Sequence, residues 1–306
     1  MNQLIEVISK AKILLVILLI LLSGCRMNGK PQPDVSQEKV SNKNNPIRNI
    51  QLSHENEGNV LENTRNERAD TDYYKDVNAH AGKELKRVLH NIIKDHDRIT
   101  YDQVWDALKE TDEDPNNPNN VLLFYAGRSQ SKQSFGKLDD NWNREHVWSQ
   151  SHFNHNNAIK SDLHNLKPED VSINRDRGNL DFDLDNKHVN SPNAKCFGKK
   201  HIEAQDTCYD DDSWEPRDEI KGDLARIMFY MAVRYEGESG DSDLELIDRT
   251  DTGVPNHGKL STLLKWHEQD PVDEFERRRN NIIYEKYQHN RNPFIDHPEY
   301  VERIWD

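Results

Sequence analysis

Cysteine is scarce in this chain, with three among 306 residues, at positions 25, 196 and 208. None belongs to a Cys-x-x-Cys pair, which removes the thiolate-rich zinc folds that lean on such pairs. No His-Glu-x-x-His motif occurs either, because Glu145 precedes His146 and no histidine follows at the required offset. Long apolar runs are missing, and the longest, Ile13 to Leu22, is too short to span a bilayer comfortably. There is no internal repeat. Positive charge is in deficit: 41 Lys and Arg against 55 Asp and Glu leave a formal charge of −14. A deficit of that size weakens non-specific affinity for a polyanion. It governs solubility and encounter rate, however, and leaves room for a local basic groove. Acidic residues crowd at Asp112, Glu113 and Asp114 and at Asp206 and Asp210 to Asp212, while basic ones gather at Arg226, Arg234, Lys259, Lys265 and Arg277 to Arg279.

What is present begins with an export signal. Residues 1–24 read as a lipoprotein signal peptide, with Lys10 and Lys12 ahead of the apolar run. Leu22-Ser23-Gly24-Cys25 looks like a lipoprotein box, in which Cys25 is acylated and begins the mature chain. Arg26, not Asp, follows it; by similarity to Gram-negative lipoproteins this points to the outer membrane if the host is Gram-negative. A cleaved signal with an incidental cysteine, giving an extracellular protein, is the alternative. Residues 25–77 are rich in Asn, Gln, Glu, Lys, Arg and Ser and cannot bury enough surface to offset their ordering entropy, so they read as a tether. Residues 78–306 suit one domain. Cys196 and Cys208 remain as either a disulfide closing a polar loop or two free thiols.

Within the domain, Leu85, Val88, Leu89, Ile92 and Ile93 recur at helical spacing and predict a helix over 82–95. Tyr101 to Leu108 reads as another, and Val121 to Tyr125 as a buried strand. After a polar loop from Gly127 to Asp140, Glu145-His146 falls on a strand, with a second short strand at Leu163 to Leu166. Pro168-Glu169-Asp170 opens a helix that carries Asn174 and stops at Gly178. Leu224, Ile227, Met228, Met231 and Tyr235 form one apolar stripe, and Leu260, Leu263, Leu264 and Trp266 another; stripes of this kind are core. The fold class is α+β, a mainly helical domain around a small β element.

The chemistry sits in Asn143-Arg144-Glu145-His146-Val147-Trp148 and Ile173-Asn174-Arg175-Asp176-Arg177-Gly178-Asn179. A carboxylate and a carboxamide offer oxygen ligands to a hard ion such as Mg²⁺, and imidazole titrates nearest neutrality. Adjacent Glu145 and His146 point to opposite faces of a strand, so both serve one site only if the strand bends or ends there. These strings, with Asp162-Leu163-His164-Asn165-Leu166-Lys167-Pro168, Lys221 to Arg226, Met228 to Met231 and Asn290 to Pro298, occur in the order of the bacterial endonuclease I family. The chain resembles that family from about residue 80 to its end.

The resemblance implies a ββα-metal (His-Me finger) unit and a non-specific nuclease that cuts DNA, and RNA as well, leaving 5′-phosphate ends. It assigns His146 as general base, and Glu145 and Asn174 as ligands to one Mg²⁺-type ion, with Mn²⁺ or Ca²⁺ as substitutes. Arg177 belongs to the same string and either clamps a phosphate or ties its helix to a carboxylate. The family's arginine between the two strands has no counterpart here, where the loop offers Lys160, His152 and His155; Arg144 is a further candidate. A zinc cluster of His146, His152, His155 and His164 matches no zinc-enzyme spacing, and His164 reads as an orienting residue. No base-readout module is present, so the expected partner is nucleic acid of any sequence, bound by a monomer that is anchored to a membrane through Cys25. The competing readings are a non-enzymatic surface lipoprotein and a metal phosphodiesterase for small substrates.

Overall fold

In a computed structural model of the chain, residues 73–77, 79–153, 157–184 and 199–305 are described. The export segment, Cys25 with its expected lipid anchor, most of the expected tether, His155 and Cys196 lie outside them, whereas Cys208 is described and is disulfide-bonded. Tyr74 and Val77, assigned to the end of the tether, are buried in the core, and the Tyr74 hydroxyl donates to Asp296 at 2.7 Å. Among the described residues no helix is long and apolar enough to cross a membrane.

The architecture is mixed α+β. Helix α1, Gly82–Ile93, buries Leu85, Leu89 and Ile93 on one face, as the spacing predicts. Helix α2, Val104–Thr111, starts later than expected, because Thr100 and Gln103 exchange backbone-to-side-chain hydrogen bonds at 2.7 and 3.2 Å and hold Tyr101 in a turn before it. Strands β1 (Glu113–Asp114), β2 (Asn117–Leu122) and β3 (Ser129–Ser131) form a small antiparallel sheet. The expected strand at Val121 to Tyr125 is only half right. β2 ends at Leu122, since Phe124 N–H turns to the Pro168 carbonyl at 3.0 Å and Tyr125 N–H to the Glu169 carboxylate.

Strands β4 (Trp142–His146) and β5 (Leu166–Asp170) pair antiparallel, Trp142 opposite Asp170 and His146 opposite Leu166. Between them lie a short helix α3, Asn157–Lys160, and a 3₁₀ turn, Leu163–Asn165. The second strand and the helix after it are therefore displaced downstream of their expected places, with Pro168 inside β5 and not opening a helix. The proline costs the ladder nothing. Its carbonyl faces away from β4 to Phe124, and in an antiparallel pair the missing N–H faces the same way. Helix α4, Val171–Arg177, opens instead on Asp170, whose carboxylate accepts from Ser172 N at 2.8 Å and Ile173 N at 3.4 Å. Gly178 ends it at φ 57°, a conformation that suits glycine.

Beyond α4, strands β6 (Asp181–Phe182), β7 (Lys199–Lys200), β8 (Cys208–Tyr209) and β9 (Ser213–Glu215) make a sheet in the order β6-β9-β8-β7. Helix α5, Lys221–Arg234, runs through the main core and is buried on all sides, Asp223 excepted, where the sequence led us to expect one stripe. Two short strands, β10 (Glu245–Leu246) and β11 (Asn256–His257), pair in parallel before helices α6 (Leu260–Gln269) and α7 (Glu274–Ile282). The β4–β5 hairpin bridges two apolar clusters. Trp142 and Leu166 pack with Val104, Leu108 and Ile283, while Val147, Trp148 and Ile173 join the cluster around α5.

Three of the basic residues that gather along the sequence turn inward. Arg226 is fully buried and pairs bidentately with Glu276 at 2.7 and 2.6 Å. Arg279 is drawn inward by Asp112 at 3.1 Å, and Arg234 by His96 at 2.9 Å. Buried carboxylates take Arg226 and Arg279 out of reach of a polyanion.

Candidate active site

Strand β4 stops at His146, which answers the alternation problem. Asn143 and Glu145 share the face toward α4, where Asn143 meets Asn174 at 2.7 Å and Glu145 meets Arg177 at 3.3 Å. Arg144 and His146 share the other, where the guanidinium lies 3.4 Å from the Tyr101 ring centre and the imidazole 5.8 Å from it. At the strand's end both faces open on one cleft of about 290 Å³, lined by Arg144, Glu145, His146, Ser149, Asn174 and Asn179 among others.

The His146 ring is held by the Lys160 carbonyl, 2.9 Å from Nε2. A carbonyl only accepts, so Nε2 carries the proton and Nδ1 keeps its lone pair. Burial pushes the imidazole down to about 3, so it stays neutral through the physiological range. The register that delivers His146 is fixed from the other side of the hairpin. Asn165 accepts from Trp148 N at 2.6 Å, donates back to Trp148 O at 3.1 Å, and takes Val147 N on its own carbonyl at 3.0 Å.

Glu145 accepts from the Tyr125 hydroxyl at 2.9 Å. Burial pushes its carboxyl up to about 7, with Arg177 pulling the other way. A buried carboxylate with only one cation beside it is short of positive charge. Asn174 gives its amide N–H to Asn143, which leaves Oδ1 as the acceptor end. One carboxylate and one amide oxygen on a shared cleft fit a Mg²⁺-type ion, which keeps several waters and takes few protein ligands.

Of the two readings of Arg177, the structure has the tie to a carboxylate, Glu145 at 3.3 Å. Arg177 is fully buried and does not line the cleft. Its Nη1 donates to the His146 carbonyl at 3.0 Å and Ser149 Oγ at 2.7 Å, and its Nη2 to the Val147 carbonyl at 2.7 Å. With its fork on backbone oxygens and on Glu145, it ties α4 to the end of β4. Arg144, by contrast, is on the cleft, over Tyr101 and at 4.1 Å from the Trp105 ring centre. The Lys160 ammonium lies 4.5 Å from the Tyr101 ring centre.

The remaining histidines separate. His164 is enclosed behind the hairpin, 4.5 Å from the Tyr230 ring and 3.3 Å from the Asn290 carbonyl. His152 turns away from His146 and meets Asp181 and His257, three buried groups whose ligand atoms lie within 4.8 Å of one another. Sequence reasoning named Glu145, His146 and Asn174 but missed the groups that hold them: Tyr125, Asn143 and the Lys160 carbonyl. Only Asn143 left a signal, two residues before Glu145 and so on the same strand face.

Residues 81–299 match the family described as Endonuclease I. Two relatives, each named extracellular ribonuclease, come from Bacillus subtilis (strain 168) and Bacillus amyloliquefaciens. They are 54% and 55% identical over 241 residues, 78% of this chain and 80% and 79% of theirs. An endonuclease-1 from Buchnera aphidicola subsp. Baizongia pistaciae (strain Bp) is 30% identical over 138 residues, 45% of this chain and 46% of that protein.

Proposed function

This chain belongs to the endonuclease I family, and from that premise we propose that it is an exported nuclease acting chiefly on RNA and also on DNA. Membership makes it a nuclease, a phosphodiester hydrolase. The expectation of DNA as first substrate yields to RNA because two relatives above half identity carry the name extracellular ribonuclease. The same names support export, and Cys25 supplies the lipid anchor in our reading. Strands β4 and β5 with helix α4 serve as the ββα-metal unit.

The observation that carries the mechanism is His146 fixed by a backbone carbonyl on the same cleft as Glu145 and Asn174. His146 Nδ1 takes a proton from the attacking water, the new oxygen–phosphorus bond forms, and the bond to the 3′ oxygen breaks. Glu145 and Asn174 would hold the divalent ion, which would polarise the phosphate and offset charge on the leaving oxygen. Arg144, clamped over Tyr101 and Trp105, meets the phosphate from the other wall. Tyr125 and Asn143 keep the two ligands oriented, and Arg177 keeps the strand end in place. Because water is the nucleophile, the sugar 2′-hydroxyl is not consumed, so DNA is cut by the same route.

The test incubates the full-length protein with single-stranded RNA and with supercoiled plasmid in Mg²⁺, with EDTA as control. Cleavage of both, faster on RNA, leaving 5′-phosphate and 3′-hydroxyl ends, is the expected result. Products ending in 2′,3′-cyclic phosphate would replace the water mechanism by 2′-hydroxyl attack. Failure to cut either polymer under any divalent ion would remove the nuclease assignment for this chain.

A further inference from the structure

Behind Arg177, on the side away from the cleft, three ionisable groups from distant parts of the chain converge without any role in the reaction above. His152 follows β4, Asp181 opens β6 and His257 ends β11. All three are at most 2% exposed. Their ligand atoms lie within 4.8 Å of one another, and the closest pair, His257 Nδ1 and Asp181 Oδ1, is at 2.9 Å. His152 and His257 face each other with ring centres 4.7 Å apart.

His152 carries the clearest sign of a ligand. Its Nδ1 lies 2.6 Å from the Asn256 carbonyl, which fixes the proton there and leaves the lone pair on Nε2. That Nε2 is buried and has no hydrogen-bond partner among the described residues. An orphaned buried acceptor is costly, and an imidazole held by a carbonyl through its other nitrogen is how metal-binding histidines are oriented. Asp181 is anchored by Thr252 N, Thr252 Oγ1 and Gly258 N, each at 2.7 Å, so its carboxylate is also held in place.

We propose that His152, Asp181 and His257 bind one zinc-type transition-metal ion, distinct from the Mg²⁺-type ion at Glu145 and Asn174. The donor set decides the class. Two imidazoles and one carboxylate suit zinc, whereas Mg²⁺ prefers oxygen ligands alone. Nitrogen and oxygen ligands sit about 2.0–2.2 Å from zinc, so tetrahedral neighbours lie roughly 3.4 Å apart, and the group, now within 4.8 Å, draws in on binding. His257 Nδ1 carries a proton between Asp181 at 2.9 Å and the Gly258 carbonyl at 3.2 Å, so it binds once that proton is released or moves to Nε2. Arg177 stands at the other edge of that ring, 3.5 Å from Nε2. This contact is too long to be a strong hydrogen bond, so losing it costs little. The guanidinium charge is already met by Glu145. Such an ion joins the loop after β4, the start of β6 and the end of β11 at the rear of the catalytic strand.

The measurement is metal content. Full-length protein, purified without chelator and dialysed against Mg²⁺ buffer, should retain one equivalent of zinc, and Co²⁺ in its place should give the visible absorption of a tetrahedral site. His152→Gln and Asp181→Asn should each lose the equivalent, and His146→Ala should keep it while losing nuclease activity. The two sites therefore fail or hold separately. If a variant does not fold, the zinc content and Co²⁺ spectrum of the unaltered protein still decide. A folded protein that retains no zinc and gives no cobalt spectrum overturns the site. Asp181 and His257 would then be only a hydrogen-bonded support for Arg177.

Discussion

Two buried polar regions of this molecule are built to the same recipe and finished differently. Around α5, Asp162 accepts from the hydroxyls of Tyr230 at 2.9 Å and Tyr235 at 2.8 Å, from Gln288 at 3.0 Å and from His164 N at 3.0 Å. The His164 ring stays neutral beside it, pushed down to about 4 by burial. At the end of β4, Glu145 and His146 are equally buried, and the imidazole is likewise held on a backbone carbonyl. There the bonding stops short, however. His146 Nδ1 and Asn174 Oδ1 have no bonded partner among the described residues, and both residues line a cleft. A network closed off from solvent makes scaffold, and one with acceptors open on a cleft makes a candidate site. Exchanging the two histidines for alanine should separate the roles most widely. His146→Ala should cut turnover on RNA by roughly 10²–10⁴-fold with the melting temperature nearly kept. His164→Ala should cost roughly 3 kcal/mol of stability with turnover per folded molecule nearly kept. Equal loss of turnover in both would erase the distinction.

That contrast was only half legible in the sequence. Glu145, His146 and Asn174 were found because their flanking strings are unusual, and the requirement that the strand end at the Glu-His pair follows from side-chain alternation. The helix over 82–95 and the apolar character of α5 were legible because period and burial agree. Arg177 was not legible. A guanidinium reads the same whether it faces a phosphate or backbone carbonyls, and only the end of β4, folded over α4, decides for the carbonyls. The cluster of His152, Asp181 and His257 was invisible for a related reason. Its members are tens of residues apart and converge through β6 and β11, two-residue strands too short to leave a period. Pro168 misled because proline marks a helix start as readily as a strand edge whose N–H is unused.

The comparison sharpens one shell further out. Asn143 Oδ1 takes the Asn174 amide N–H and so fixes which end of that amide is left for the cleft. Asn143→Ala frees the amide to turn and should raise the Mg²⁺ concentration for half-maximal activity by roughly tenfold or more. Turnover at saturating Mg²⁺ should recover most of its value. An Asn143→Ser variant, which keeps an oxygen on the same strand face, should give an intermediate requirement. A loss in Asn143→Ala that no amount of Mg²⁺ restores would mean that the residue supports the fold of the hairpin and not the ligand.

The smallest effect is in pH, where the two regions act in both directions. Burial pushes His146 down to about 3, and His164 and His267 to about 4. A histidine whose folded value is depressed contributes stability above its unfolded value, near 6.5, and loses it as pH falls toward the folded value. Burial also pushes Glu145 up to about 7 and Glu169 up to about 8. A carboxyl raised in this way favours the folded state below its unfolded value, near 4.5, and loses that contribution as pH rises through 7 or 8. These histidines draw stability down toward acid below about 6.5, and Glu145 and Glu169 draw it down toward alkali as pH rises through about 7 and 8. Mg²⁺ then tells the regions apart. Glu145 faces the cleft and is held ionised by a bound cation, whereas Glu169 is fully enclosed with its oxygens on the backbone N–H groups of Tyr125, Ala126 and Asp170. Denaturant unfolding from pH 4.5 to 8.5 should therefore show the alkaline decline reduced, but not abolished, by Mg²⁺. An alkaline decline indifferent to Mg²⁺ would place Glu145 with the scaffold and leave the cleft without its charged ligand.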